Sequence, residues 1–170
     1  VLSFTIGQIP PSYAGDASES GQVATDAPVE EIVIPDAKKD PRSLMAFFLS
    51  TMEIAKHGDT SALEQASSAL DLQDVNPLVR AEKGGELAWK LLNVLERAML
   101  ASAKRISNRK EGDPVTVGEF DAGSVSISFD ENFGWRFSKE SLAVLPAILD
   151  ELSVKEENPT DSTPVESYLP

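Results

Sequence analysis

The chain has no cysteine and only one histidine among its 170 residues. The first absence removes disulfides, thiolate nucleophiles and zinc–thiolate sites together. It does not locate the protein. The second leaves carboxylate sites for hard cations as the remaining route to a metal. No run approaches the ~18 apolar residues that a membrane-crossing helix requires. Cations are also scarce: 15 Lys and Arg face 28 Asp and Glu, for a net charge of −13. That balance disfavours DNA, RNA and anionic membrane surfaces as partners, since binding them rests on Lys and Arg contacts with phosphates.

The length fits one domain with flexible ends. Apolar residues make up 41%, ordinary for a globular protein and too many for wholesale disorder. The acidity is uneven. Residues 1–40 hold seven acids and two lysines, and residues 153–170 hold four acids and one lysine. We read 1–39 as a flexible acidic linker, 40–152 as a single globular domain, and 153–170 as a second, polar linker. Pro10-Pro11, Gly15 and Pro28 break any period in the first linker. Ile32-Val33-Ile34, ahead of Pro35, reads equally as a docking edge strand or as an apolar spot in a flexible arm. The apolar start Val1–Ile6 lacks a basic flank, so it is not a complete signal peptide, and it would fit the remnant of a cleaved one.

Within 40–152 the periodicity is helical first. Asp40 is suited to cap a helix and Pro41 to its first turn. Leu44, Phe47, Phe48, Met52 and Ala55 follow at helical spacing as far as Gly58. Ser61 and Glu64 have capping-box spacing for a short second helix. A third helix is predicted from Val79 to Ala103, loosened at Gly84-Gly85, with Leu87, Leu91, Val94 and Leu95 on its apolar stripe and Trp89 widening it. After Gly112 the period becomes two. Val115 and Val117 alternate, as do Val125, Ile127 and Phe129, then Trp135 and Phe137, with turns at Asp121–Gly123 and Asn132–Gly134. Ser138 caps a last helix to about Leu152, which Pro146 should kink or split. The fold class is α+β and mostly helical: three helices, a three-stranded antiparallel meander, and a C-terminal helix.

No residue announces a chemistry. His57 sits at a helix end, where a protonated imidazole complements the dipole, and no serine is singled out to partner it in a triad. Asp71 with Asp74, and Asp130 with Glu131, suit solvated turns and do not match a calcium loop. Gly84-Gly85 lacks the flanks of a phosphate loop. Lys104, Arg105, Arg109 and Lys110 close the third helix, where cations complement its C-terminus. Phe47, Phe48, Trp89, Trp135 and Phe137 follow element periods and read as core. No catalytic, cofactor-binding or metal residue is assigned, no cofactor is expected, and the chain is read as a non-enzyme.

The order of segments does resemble a known family. Asp40-Pro41-Arg42-Ser43-Leu44 leads to Phe48-Leu49 and Met52. Ala69-Leu70-Asp71-Leu72-Gln73-Asp74 comes next, then Gly85–Leu91 with Val94–Arg97. Glu111-Gly112, Trp135-Arg136-Phe137-Ser138 and Leu145-Pro146 follow. This order, across about residues 40–152, is similar to the extracytoplasmic N-terminal region of some bacterial mechanosensitive ion channels of the small-conductance family. Two departures stand out. Glu53–Ser68 is longer than that region would have, and Ala101–Lys110 is basic where it would be acidic. The resemblance implies a periplasmic accessory domain of a channel, a membrane protein fragment that ends just before the membrane part. It would tune assembly or gating in ion transport, or contact envelope partners. Its partners would be its own channel domain and neighbouring subunits, with no nucleic acid and no direct membrane insertion by this fragment. Two rivals are a free-standing exported module that holds a small apolar ligand, and an enzyme with a buried carboxylate of strongly raised pKa.

Overall fold

The computed structural model describes residues 33–157. The capping signal at Asp40-Pro41 opens the first α-helix. Asp40 is extended, and its carboxylate accepts from Ser43 N at 2.8 Å and from Ser43 Oγ at 2.7 Å. Pro41 occupies the first turn, where a missing N–H leaves nothing unpaired. Helix α1, Pro41–Lys56, buries Leu44, Met45, Phe48 and Met52 completely. Helix α2, Thr60–Ser67, is capped by Asp59, whose carboxylate accepts from Ala62 N at 3.1 Å. The expected Ser61–Glu64 box is therefore not the cap. Asp59 directly follows the Gly58 turn and brings a full negative charge to the helix start, which a serine does not.

Helix α3, Arg80–Arg97, contains Gly84 and Gly85 without loosening. A Cβ on Gly84 would stand 2.9 Å from Leu72 Cδ1 and 3.0 Å from Ser67 Cβ. These glycines let α2 and α3 approach. The helix stops six residues before the expected Ala103. Met99 takes φ 57°, Leu100 N donates to Leu95 O at 2.7 Å, and Met99 N donates to Glu96 O at 3.1 Å. That pair of bonds is a Schellman closure, built here on methionine rather than glycine. Leu100 then packs over Gly118, where a Cβ would fall 2.3 Å from Leu100 Cδ1. Lys104 and Arg105 lie in a separate 3-10 turn, Ala103–Arg105, and do not close α3.

The meander forms as the period-two pattern predicts. Strands β1 (Val115–Phe120), β2 (Gly123–Asp130) and β3 (Gly134–Phe137) are antiparallel in the order β1-β2-β3. Ile127 pairs with Phe137 and Phe129 with Trp135, and a bulge interrupts β1 between Thr116 and Gly118. Trp135 is fully buried, and its indole N–H donates to Lys110 O at 3.0 Å. Phe137 meets Phe48 of α1 edge-on at 5.2 Å. Burial of side chains of this size contributes about 1.5–3 kcal/mol each. The outer edge of β3 is also occupied. Phe137 N donates to Ala69 O and Asp71 N to Phe137 O, both at 2.9 Å, so Leu70 forms a one-residue parallel bridge.

Helix α4, Lys139–Glu157, starts where expected. Ser138 Oγ accepts from Ser141 N at 3.2 Å, and the hydroxyls of Ser126, Ser138 and Ser141 lie within 2.8–3.2 Å of one another. This cluster ties β2 to the helix start. Pro146 does not split α4, which continues past the expected end at Leu152. Leu142, Leu145 and Ile148 anchor it on the core across the proline. Its last turns are held from outside: Arg97 donates to Ser153 and Glu156, and Glu151 accepts from Ala122 N at 3.0 Å.

Of the expected first linker, residues 1–32 lie outside the described residues, as do 158–170 of the second. Val33 is 80% exposed, and 33–35 form no strand. Ile34 instead lies against Gly134, whose Cβ would fall 2.6 Å from Ile34 Cγ2. A 3-10 turn, Asp36–Lys38, follows it.

The Schellman closure yields a test. Met99 is 82% exposed, so its left-handed backbone is compensated by few side-chain contacts. Met99→Gly should stabilise the protein by about 1 kcal/mol in urea unfolding. A lower midpoint would show that the methionine side chain contributes more than its backbone costs.

Candidate functional site

The residues that invite a chemical role are dispersed. His57 is the C-cap of α1 with a side chain 80% exposed, and Glu53 approaches it at 3.9 Å. Asp130 Oδ1 accepts from the backbone N–H of Asn132 and Phe133, fixing the β2–β3 turn. Asp74 Oδ2 accepts from Lys139 Nζ at 2.9 Å. Among the described residues no three His, Cys, Asp or Glu converge to hold a metal ion. Trp89, expected in the core, is 39% exposed. It lies on the α3 face shared by Glu82, Glu86, Asn93 and Glu96, away from the buried Ala88, Leu91 and Leu95. The carboxyls of Asp36, Glu86, Glu151 and Glu156 are held below the usual carboxylate range, each chiefly by a hydrogen bond from a cation.

What the fold does assemble is a groove of about 480 Å³ where α3, α4 and the loop after Leu70 meet. Val75, Leu87 and Leu142 supply apolar surface, and Asp74, Lys83 and Lys139 supply charge. Lys139 is held above the usual lysine range by its hydrogen bond to Asp74 and then by that carboxylate's charge. On the outer face of α3, Glu86 is bonded by both Lys83 and Lys90 and is pushed down to about 2.

Asp71, at the groove's edge, faces the one charge that the fold buries deeply among the described residues. Arg136 is 7% exposed, between the fully buried Trp135 and Phe137 of β3. Asp71 Oδ1 and Asp130 Oδ2 lie 3.3 and 3.7 Å from its Nη2, and its guanidinium stacks 4.5 Å over the Phe133 ring. Its buried Nε has no hydrogen-bond partner among the described residues. In the sequence Arg136 stands within the short motif Trp135-Arg136-Phe137-Ser138, which signals no role for it. The available signal was a strand only four residues long, with an arginine on the face opposite its two aromatics.

Two tests follow from this geometry. Asp71→Asn leaves Asp130 as the sole carboxylate beside a buried guanidinium, and should cost about 2–3 kcal/mol. Asp74→Asn breaks only an exposed pair and should leave the unfolding midpoint where it is. Equal effects of the two would mean that Asp71 is not the principal counter-charge. For Glu86, the folded value of about 2 lies below the usual 4.5. Its contribution to stability is therefore present above pH 4.5 and lost as pH falls through 2. Carboxyl carbon NMR should find this midpoint, and removing Lys83 and Lys90 together should return it to the usual range.

Compared with known proteins, the chain matches no family model, no curated protein and no solved structure.

Proposed function

We propose that this chain is a non-catalytic, extracytoplasmic accessory domain of a mechanosensitive ion channel of the small-conductance family. It would tune assembly or gating, or contact envelope partners, beside its own channel domain and neighbouring subunits. One observation carries the reading. Residues from most of the short motifs behind the resemblance pack into one structural unit. Asp40 caps α1, Ala69-Leu70-Asp71 pairs with Phe137, and Asp71 faces Arg136. Gly85 admits Leu63 of α2, and Ser138 opens α4. A sequence order that encodes one packing arrangement is what a transferable domain would keep.

The α3–α4 groove favours a second reading, a free-standing exported module for a small ligand. Its volume of about 480 Å³ falls in the range of small-molecule sites.

The coding sequence downstream of Pro170 separates the two. The channel reading expects several apolar stretches of about 20 residues followed by a pore domain. A stop codon within a few residues would overturn it and leave the ligand module.

A further inference from the structure

We propose that the cleft where Lys38, Arg80 and Arg136 converge binds the oxyanion head, phosphate or carboxylate, of a small ligand. This inference is independent of the channel reading. The cleft has a volume of about 210 Å³ and lies between the C-terminal end of α2, the loop after it and β3. Its wall contains those three cations, the paired Ser67 and Ser68, and no carboxylate. In a chain of net charge −13 such a wall is a local reversal of sign.

The second observation is the orphaned Nε of Arg136. A buried guanidinium N–H without a partner is costly, and this one belongs to a side chain that lines the cleft. Asp71 and Asp130 approach Nη2, and neither forms part of the wall. The other two cations retain donors as well. Lys38 Nζ uses one bond, to Ser68 O at 2.6 Å. Arg80 sends Nε and Nη2 to Val75 O at 3.3 and 3.0 Å, and its Nη1 donates to no described residue. Burial, and after it the charge of Arg136, holds the Lys38 ammonium below the usual lysine range. An anion between the two would relieve that repulsion.

The chemistry fits an oxyanion better than a halide. Guanidinium donors present parallel N–H groups that match two oxygens of one ligand. The remainder of the ligand has room, because a second cleft of about 490 Å³ shares Ser67, Ser68, Leu72 and Arg80 and extends toward Pro77.

The test is an amide NMR titration of the full chain with inorganic phosphate and, separately, with succinate at constant ionic strength. Saturable shifts at Ser67, Ser68, Gln73 and Arg136 are expected. Saturation with phosphate alone would assign a phosphoryl head, and with succinate alone a carboxylate head. Arg80→Gln removes an exposed donor and Lys38→Gln a half-buried one, and the same spectra report whether each variant is folded. Each should weaken binding at least about fivefold, as loss of one charge-assisted hydrogen bond implies. No saturable shift with either anion, shifts confined to 104–110, or unchanged affinity in both variants would each overturn the proposal.

Discussion

Two backbone hydrogen bonds join the helix-rich half of this domain to the edge of its sheet. Ala69 O and Asp71 N flank Phe137, so the segment leaving α2 acts as a single-residue strand on the free edge of β3. A four-residue strand has too few ladder bonds to hold its place alone. Here it is paired on both sides, and all four of its residues are buried. Pinned in this way, Phe137 reaches Phe48 of α1, and Arg136 lies beside Asp71. The helix-rich half and the sheet therefore share one core, in which Leu44, Phe48, Leu91, Leu95, Ile127, Trp135 and Leu145 are all fully buried.

Much of this architecture was legible in the sequence, because its strongest signals are local. Asp40-Pro41 announces α1, the change of period after Gly112 announces the sheet, and Ser138 announces α4. The failures have identifiable causes. The end of α3 was misplaced because Met99 adopts the left-handed conformation without the glycine that usually marks it. Trp89 was assigned to the core because its apolar ring adjoins a wide stripe, and periodicity does not say where a stripe's margin falls. Gly84 and Gly85 looked like weakness because a single sequence does not reveal the neighbouring helix that needs their missing side chains.

The surface features were far less visible. The groove draws residues from three separated segments and the cationic cleft from four, and no spacing rule links Lys38 to Arg80 and Arg136. Acidic composition pointed away from anions, and it is a property of the whole chain. Local sign is set by which few side chains the fold brings together. Arg136 illustrates the limit. Period two predicts that it faces away from Trp135 and Phe137, but not that this face is covered by Phe133 and two carboxylates.

The fastening of α4 has a mechanical corollary. Tension applied along the chain beyond Glu157 meets the Arg97 clasp on Ser153 and Glu156 first. Polar contacts reach only about 3 Å, so a small displacement would free the final turn abruptly. Further inward, Ile148 and Leu145 resist by burial, which is surrendered gradually as surface is exposed. The helix would thus behave as a brittle tip on a compliant stem, with a threshold set by three side chains.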